Sequence, residues 1–335
     1  MKAAVLHGPR DLRVERASIP LVVEPQDVVV RVRIAGLCGT DRRIWTGDRP
    51  VGYPRVMGHE FVGRVEAVGT AVTRVAVGDR VTVEPNYSCG ACPLCREGNR
   101  NLCLSRTAIG IDVDGGFAEV VRVPGRCCWP APAGVSDEDL MLTEPLAVVV
   151  RAVERARISA GDTVAVVGAG ALGLLALQVL RAHGARVLCI GRSGRRLPLA
   201  RELGADAVHS TSEGPLAPAS RAFSGREGVD CVVETAGTAD AVNHALEVVR
   251  PGGRIVLTGL PHEPTPVAFF SVVRREVTIT GSMIYQDEFA VAMRLVAAGQ
   301  VRTTPLITHR FPLDDIARAF AVHEEPTAIK VAVVP

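Results

Sequence analysis

The sequence has almost no excess of charge of either sign. Its 335 residues contain 38 lysines and arginines against 36 aspartates and glutamates, which gives a formal net charge of +2 at pH 7. The basic residues are scattered and form no long basic tract, so the sequence offers no electrostatic basis for binding nucleic acid. Internal repeats and low-complexity linkers are also lacking. These absences favour a small molecule as the partner.

Hydrophobic runs that would mark a leader or a membrane span are lacking as well. The short apolar run within residues 1–6 meets His7, Gly8 and Pro9, so it is too short for a signal peptide. Residues 163–180 are apolar over about the length of a membrane span, but they contain regularly placed glycines and no interfacial aromatic residues. We therefore expect a cytoplasmic protein that does not enter the membrane.

Cysteine occurs in an odd number, which argues against a disulfide framework. The chain has nine cysteines, and in the reducing compartment expected here paired disulfides are rare. Metal binding is therefore the leading explanation. The length exceeds the usual size of a single core and 47% of the residues are hydrophobic, so we expect two well-buried domains.

The residue pattern divides the chain into three parts. Residues 1–147 contain short β segments, such as 27–34, 63–68 and 80–84, separated by turn residues, and this indicates a mostly β domain. Residues 148–285 alternate strand and helix patterns, which predicts a parallel, doubly wound sheet. Its strand candidates are 163–167, 186–190, 231–234, 254–258 and 277–280. Residues 286–335, with a helix at 288–298 and a strand at 330–334, are expected to pack back on the first domain.

Four cysteines form one compact motif. Cys89, Cys92, Cys95 and Cys103 have the spacing Cys-x2-Cys-x2-Cys-x7-Cys. Four thiolates at this spacing are typical of a closed tetrahedral zinc site, which has no open position and a structural role. An iron–sulfur cluster is the alternative, because closely spaced cysteines also occur there. Cysteines outside the motif and next to apolar segments are expected to be core residues: Cys127, Cys128, Cys189 and Cys231.

A second candidate metal site combines residues from two short motifs. Cys38 stands alone in Gly-Leu-Cys-Gly-Thr-Asp, and His59 and Glu60 follow about twenty residues later. A thiolate, an imidazole and a carboxylate together hold zinc while leaving room for water or substrate, which is the catalytic arrangement. Each residue alone is a weak signal, because a lone cysteine or histidine is usually structural.

The order of these motifs resembles that of the zinc-containing medium-chain dehydrogenases, most closely the sorbitol, threonine and 2,3-butanediol dehydrogenase branch. The matching segments are 38–41, 58–60, the four-cysteine motif, 144–147 and 168–173, and they span essentially the whole chain. The resemblance implies an α/β protein with a GroES-like, mostly β catalytic domain and a Rossmann coenzyme domain. It also implies an enzyme that acts on a CH–OH group of a small-molecule alcohol or ketone.

The same resemblance implies roles for individual residues. Cys38 and His59 would be catalytic zinc ligands, and Glu60 and Glu144 would ligate the metal directly or through water. Asp41 would orient His59, and the Thr40 hydroxyl would accept the substrate proton. The chain departs from many relatives at Arg43, where they have a relay histidine, so the proton must leave by another route.

A glycine-rich turn predicts a dinucleotide site. Gly168, Gly170 and Gly173 follow a strand pattern and open a helix that begins near Leu172, which is the context that a pyrophosphate-binding turn requires. Ala171 and Leu172 are therefore candidate cofactor contacts as well.

The segment after the second predicted strand indicates which dinucleotide binds. An NAD site usually has an acidic residue there, but this chain has Gly191, followed by Arg192, Ser193 and Arg196, which could hold a 2′-phosphate. We therefore predict NADP(H). The alternative is that these arginines are a solvated helix start in an NAD enzyme.

The substrate is the least defined element of the sequence. The resemblance favours a secondary hydroxyl of a small polyol, diol or cyclitol, and it places Leu260 and Ser282 near the nicotinamide. The alternatives are an NAD-dependent sorbitol-, butanediol- or threonine-type dehydrogenase and a non-enzymatic zinc- and nucleotide-binding sensor. A homodimer or homotetramer is also implied. Candidate substrate contacts are Arg43, Trp45, Arg274 and Tyr285.

Overall fold

The computed structural model describes residues 1–19, 24–192, 194–260 and 264–335. These residues form two compact units: the first is Met1–Glu144 together with Thr303–Pro335, and the second is Pro145–Arg302. Among the helices of the described residues, none combines the length and the hydropathy that a membrane-spanning helix requires.

The strands and helices are numbered in chain order. Within the described residues the strands are β1 (Lys2–Gly8), β2 (Asp11–Arg16), β3 (Asp27–Leu37), β4 (Arg55–Val56), β5 (Glu60–Val68), β6 (Arg80–Val83), β7 (Asn86–Tyr87), β8 (Thr107–Ala108), β9 (Val120–Pro124), β10 (Cys128–Pro130), β11 (Thr163–Val167), β12 (Arg186–Gly191), β13 (Ala207–Ser210), β14 (Val229–Glu234), β15 (Val249–Leu257), β16 (Thr278–Gly281), β17 (Ile307–Pro312) and β18 (Lys330–Val334). The helices are α1 (Gly39–Thr46), α2 (Pro93–Arg96), α3 (Asp137–Met141), α4 (Thr143–Ala156), α5 (Ala171–Ala182), α6 (Arg196–Glu202), α7 (Leu216–Ser224), α8 (Ala239–Val248), α9 (Phe269–Arg274), α10 (Glu288–Ala297) and α11 (Ile316–His323).

The first unit is mostly β, as the turn-rich sequence predicts. Its main sheet runs β10-β6-β5-β3-β18-β17, with β9 also paired to β3, and β2-β1-β4 forms a smaller sheet. Strand β3 is rich in β-branched residues, which suits a pleated strand packed on a core. The core beneath includes Phe61, Phe117 and Phe320. Strand β18 lies between β3 and β17, so a late part of the chain completes this sheet.

The second unit is a parallel sheet with the strand order β13-β12-β11-β14-β15-β16. Its central strands are continuous apolar runs: all five residues of β11 and all six of β14 are buried, as expected where helices cover both faces of a parallel sheet. The order reverses between β11 and β14, which is the point where ligands bind in doubly wound sheets. The α/β fold class predicted from the sequence is confirmed.

The return of the chain to the first unit differs from the sequence prediction. It begins at Thr303 and not at residue 286, and the first division falls at 144 and not at 147. Helix α10 stays with the second unit because it buries Phe289 and because Glu288 pairs with Arg151 at 2.8 Å. The Gln178 amide also binds the main chain of Arg302 on both its N–H and its carbonyl.

The cysteines predicted to be core residues are buried in both units. Cys127 and Cys128 lie in the first unit, and Cys189 and Cys231 lie on strands of the second. Burial raises the pKa of Cys128, Cys189 and Cys231 to about 12. These thiols are therefore protonated and inert at neutral pH.

Candidate functional site

The four-cysteine motif closes into a compact thiol cluster in the first unit. The Sγ atom of Cys103 lies 3.5 Å from that of Cys89 and 3.9 Å from that of Cys92, and the four sulfurs all lie within 4.8 Å of one another. Zn–S bonds of about 2.3 Å in a tetrahedron require sulfur–sulfur distances of about 3.8 Å. The observed spacing therefore fits a tetrahedral zinc ion.

Backbone groups favour the charged form of these thiols. The N–H of Cys89 donates to Sγ of Cys103 at 3.3 Å, and the N–H of Cys92 donates to Sγ of Cys89 at 3.4 Å. Backbone hydrogen bonds lower the pKa of Cys92 to about 6, whereas burial raises the pKa of Cys95 to about 11. A cation bound among the four sulfurs would stabilise the thiolate form of each of them.

The second predicted metal group also comes together in the first unit. Cys38 precedes α1, whereas His59 and Glu60 stand at the start of β5, and one ligand atom from each lies within 4.8 Å of the others. Cys38 is half-buried, and His59 and Glu60 are buried. Two elements far apart in the sequence thus bring a thiolate, an imidazole and a carboxylate to one point.

Asp41 orients this group from the first turn of α1. Its Oδ2 accepts the backbone N–H of Cys38 at 2.9 Å, and its Oδ1 lies 3.3 Å from Nδ1 of His59. This contact leaves Nε2 of His59 as the nitrogen that a metal can use. Burial lowers the pKa of His59, but the charges of Asp41 and Cys38 outweigh that effect and raise the pKa well above its usual value. The electrostatic field at this point therefore favours a cation.

Lys330 is a charged neighbour that the sequence patterns did not identify. Its Nζ lies 2.8 and 2.6 Å from the two carboxylate oxygens of Glu60, and both residues are buried. Burial lowers the pKa of Lys330, but the charges of Glu60, Cys38 and Glu144 outweigh that effect and raise it. The available sequence signal was a single lysine at the head of an otherwise apolar strand.

Glu144, Thr40 and Arg43 were also predicted for the catalytic site, and each lies on a helix of the first unit or at its boundary. Among the described residues, Glu144 is buried in the first turn of α4 but stands outside the group of three ligand atoms. Thr40 is half-buried in the first turn of α1, two residues after Cys38. Arg43 lies one turn further along the same helix.

The three remaining candidate substrate contacts lie in surroundings that suggest no substrate role. Trp45 packs on Phe320 with ring centroids 5.4 Å apart, so a core role accounts for it. Tyr285 is buried beside Phe289 in the second unit, whereas Arg274 is exposed at the end of α9.

The glycine-rich turn in the second unit has the predicted form. It joins β11 to α5, and Gly168 has a φ of +108°, a conformation that favours glycine. A Cβ at Gly173 would lie 1.7 Å from the carbonyl oxygen of Gly168, so turn and helix touch through bare backbone. A Cβ at Gly170 would meet no described atom within 4 Å, so the turn is open there. The first N–H groups of α5, from Ala171 and Leu172 onward, follow this opening.

The end of β12, where an NAD site usually has an acidic residue, is crowded at Gly191. A Cβ at Gly191 would lie 2.8 Å from Cβ of Ala169, so a side chain there would require the turn to shift. Arg192 is exposed and Arg196 begins α6, half-buried. Burial, and to a lesser extent the positive charge of Arg192, lower the pKa of Arg196. Ser193 lies outside the described residues.

The loops after β14, β15 and β16 are joined at one edge of the sheet. Oε1 of Glu234 accepts the N–H groups of Ala236 and Gly237 at 2.6 and 2.8 Å. A Cβ at Gly259 would lie 2.1 Å from the nitrogen of Gly237, so the first two loops meet backbone to backbone. Sequence patterns did not identify Glu234, an acidic residue that ends an apolar strand. The predicted Leu260 is half exposed, and Ser282 is buried after β16, where its N–H donates to Leu257.

Together the two units contain a zinc-compatible thiol cluster, a Cys–His–Glu group and a dinucleotide turn, which define a metal- and nucleotide-dependent oxidoreductase. Two family models match consecutive parts of the chain. They are the alcohol dehydrogenase GroES-like domain over residues 24–133 and the zinc-binding dehydrogenase over residues 171–298. The chain belongs to the zinc-containing medium-chain alcohol dehydrogenase family.

Individual relatives agree over full length. Sorbitol dehydrogenase of Halalkalibacterium halodurans is 34% identical, with 100% of this chain and 99% of that protein covered. A zinc-binding dehydrogenase from Sinorhizobium meliloti 1021, solved with NADP, is 36% identical with a TM-score of 0.95 and 100% and 99% coverage. The alcohol dehydrogenase rspB from Escherichia coli CFT073, solved with NADH, is 33% identical with a TM-score of 0.93 and the same coverage. These two structures contain different cofactors, so cofactor choice must be argued from this chain.

Proposed function

We propose that the protein transfers a hydride between NADP(H) and a secondary alcohol or its ketone, on a small polyol, diol or cyclitol. The observation that carries the proposal is the convergence of Cys38, His59 and Glu60 beside Asp41, because a protein that only binds nucleotides needs no such group. Likeness to a sorbitol dehydrogenase supports a polyol-type substrate. A threonine-type enzyme is less favoured, because Arg43 replaces the relay histidine.

Each candidate site residue of the first unit has a role in this proposal. Cys38 and His59 hold a catalytic zinc ion, with Glu60 and Glu144 as the carboxylates near it, and Cys89, Cys92, Cys95 and Cys103 hold a structural one. When bound, the catalytic zinc ion would polarise the substrate oxygen, and the nicotinamide would exchange the hydride. Asp41 fixes the ring of His59, so that one nitrogen faces the metal. Thr40 takes the hydroxyl proton.

Metal analysis and a turnover assay test the proposal together. We expect two zinc ions per chain and NAD(P)H-linked turnover in a panel of polyols, diols and cyclitols run with both cofactors. Cys38→Ser should remove one zinc ion and all turnover but keep dinucleotide binding, whereas the control Cys231→Ala should keep both. One zinc ion with no turnover on any substrate would favour a sensor, and turnover in Cys38→Ser would exclude a zinc mechanism.

Preference for NADP(H) is the second part of the proposal. Gly191 and the paired charges of Arg192 and Arg196 support it, because a 2′-phosphate can accept charge-assisted hydrogen bonds from guanidinium groups. The ratio of kcat/KM for NADPH and NADH is the test. A clear preference for NADH would refute this part and leave the NAD-dependent sorbitol- or butanediol-type alternative.

Assembly and location complete the proposal. We propose a cytoplasmic protein that forms a homodimer or homotetramer. The assembly is supported by β16, a partly exposed strand at the edge of the described sheet, and by Phe269 and Phe270, which are 67% and 76% exposed. An open strand edge and exposed apolar side chains are each features that a second copy can cover. Light scattering should give a dimer or larger mass for the wild type, and Phe270→Glu should reduce it. A monomeric wild type would contradict this.

A further inference from the structure

The loop after β14, residues 235–238, lies between two other loops at one edge of the parallel sheet. Strand β14 ends at Glu234, which is paired with Val167 of β11 on one side and with Leu257 of β15 on the other. Because these strands are parallel, their carboxyl ends and the loops that follow them share one edge. The loop after β14 therefore has the glycine turn, which follows β11, on one side and the loop that follows β15 on the other.

Thr235 ties the loop after β14 to the glycine turn. Its hydroxyl oxygen lies 3.1 Å from the carbonyl oxygens of both Val167 and Gly168, and its N–H donates to Val167 at 2.9 Å. A hydroxyl group has one proton to donate, so the two carbonyls share it. A Cβ at Gly168 would lie 2.7 Å from Oγ1 of Thr235, and a Cβ at Gly173 would lie 3.0 Å from it. The hydroxyl group thus stands where the turn meets the first turn of α5.

Glu234 ties the same loop to the loop after β15. Its side chain is buried, and Oε1 accepts the N–H groups of Ala236 and Gly237. Its main-chain carbonyl accepts the N–H of Gly259 at 3.1 Å, and a Cβ at Gly259 would lie 2.7 Å from Oε2. Burial raises the pKa of the Glu234 carboxyl, whereas the N–H groups of the two loops oppose this effect. One buried acid therefore organises both loops.

The place of these contacts in the sheet gives them a meaning for cofactor binding. A doubly wound sheet consists of two halves, each of which binds one nucleotide, and the dinucleotide lies across the point where the strand order reverses. Here the reversal lies between β11 and β14, so the half with the glycine turn and Gly191 leaves the half β14–β16 for the nicotinamide nucleotide. A Cβ at Gly237 would lie 2.6 Å from the nitrogen of Leu260, the residue expected near the nicotinamide. The loop after β14 thus spans the distance between the two halves.

We propose that Glu234 and Thr235 are positioning residues that fix the loop after β14 to the glycine turn and to the loop after β15, and so keep the two nucleotide subsites at the spacing of one dinucleotide. Neither side chain needs to touch the cofactor in this role. The inference rests on the proposed function in one respect, namely that a nicotinamide dinucleotide binds along this edge.

Calorimetric titration with whole cofactors and with their adenosine halves tests the role of Glu234. The whole cofactors are NADPH and NADH, and the halves are 2′,5′-ADP and ADP, which lack the nicotinamide nucleotide. Glu234→Gln keeps the shape of the side chain but removes the charge that attracts the N–H groups of both loops. We expect the affinity for the preferred whole cofactor to fall about tenfold or more, because hydrogen bonds to a charged acceptor are replaced by weaker ones. The affinity for the halves should not change.

Glu247→Gln is the matched control. This exposed glutamate of α8 accepts the N–H groups of Leu216 and Ala217 at 3.0 and 2.9 Å, so the control alters a similar pair of bonds at the start of α7. All affinities should then equal those of the wild type. Wild-type affinity for the whole cofactor in Glu234→Gln would overturn the inference. An equal loss of affinity for the cofactor and for its half would also overturn it, because Glu234 would then only support the fold of the unit.

Two variants of Thr235 test the other attachment and do not depend on whether Glu234→Gln folds. Thr235→Val keeps the branched shape but lacks the hydroxyl group, so the glycine turn is released. The affinities for whole cofactors and for halves should both fall, because all of these ligands contain the phosphate that the turn binds. Thr235→Ser keeps the hydroxyl group and should keep the wild-type affinities. Unchanged binding in Thr235→Val, or an equal loss in both variants, would overturn the inference.

Failure of this inference is distinguishable from failure of the proposed function. If the wild type binds a whole cofactor more tightly than its half and the variants do not respond as expected, only the positioning role falls. If the wild type binds NADPH and NADH no more tightly than 2′,5′-ADP and ADP, the nicotinamide subsite is absent. The inference and the proposed hydride transfer then fall together.

Discussion

Two single-methyl additions in the glycine turn should both reduce cofactor binding, but only one of them should reduce stability. Gly173→Ala places a Cβ 1.7 Å from the carbonyl oxygen of Gly168, whereas such contacts keep at least 3.0 Å, so the turn and α5 must separate by about 1.3 Å. Overpacking of this kind costs about 1–3 kcal/mol. For a unit of this size we expect Tm to fall by roughly 2–10 °C. Cofactor affinity should fall as well, because the helix N-terminus is displaced.

Gly170→Ala is the matched control. Its backbone conformation (φ −83°, ψ −170°) is open to alanine, and the new Cβ meets no described atom within 4 Å. Glycine is a better N-cap than alanine, so we expect a loss of at most about 1 kcal/mol and a small change in Tm. Cofactor affinity should nevertheless fall strongly, because the methyl group occupies the space that a pyrophosphate approaches.

Thermal unfolding without cofactor and fluorescence titration with NADPH and NADH measure the two effects separately. The expected pattern is loss of stability and affinity in Gly173→Ala, and loss of affinity alone in Gly170→Ala. Wild-type Tm in Gly173→Ala would refute the argument from backbone contact. Wild-type affinity in Gly170→Ala would refute the placement of the pyrophosphate.

Three further predictions concern separate parts of the chain. Arg192→Gln should lower kcat/KM for NADPH about tenfold or more, because a charge-assisted hydrogen bond contributes about 1.5–3 kcal/mol. It should leave kcat/KM for NADH unchanged. The control is Arg195→Gln, which replaces a neighbouring exposed arginine and should change neither value. Cys103→Ser should reduce the metal content by one zinc ion and lower Tm, as measured by elemental analysis and calorimetry; full zinc content would argue against a four-thiolate site. Asp230→Asn should lower the free energy of unfolding by about 2 kcal/mol at pH 7, because bonds from Thr163 and Arg250 outweigh burial and lower the pKa of Asp230 to about 2 from 3.8. That stability is present above pH 3.8 and is lost as the pH falls through 2. Denaturant unfolding of the zinc-free wild type and variant should therefore show a constant difference in the free energy of unfolding down to about pH 5 and a smaller one below it. A difference that grows on acidification would contradict the assignment.

Local sequence patterns predicted the parts of the site that local structure builds. The turn at Gly168–Gly173 and the cysteine loop are each made by one short segment, so spacing alone predicts their shape. The same holds for β11, whose bounds match the prediction, and for α5, which begins at Ala171.

Contacts between distant segments were not predictable in this way. Glu60 and Lys330 are 270 residues apart, and nothing in either neighbourhood specifies the other. Their meeting depends on the register of β5, β3 and β18, which the whole sheet determines. The boundary expected at residue 286 differs for a related reason: α10 stays with the second unit, where Phe289 is buried and Glu288 pairs with Arg151, which lies 137 residues earlier in the chain.

The position of β18 has a consequence for the order in which the protein is made. The strand inserts between β3 and β17, yet the ribosome produces it only after the whole of the second unit. Until then β3 has an open edge on that side, and Glu60 has no lysine to pair with. During synthesis every strand of the second unit's sheet emerges before β18, whereas the main sheet of the first unit lacks this strand until the end. The sheet beside which Cys38 and His59 lie is therefore complete only after β18 has been made.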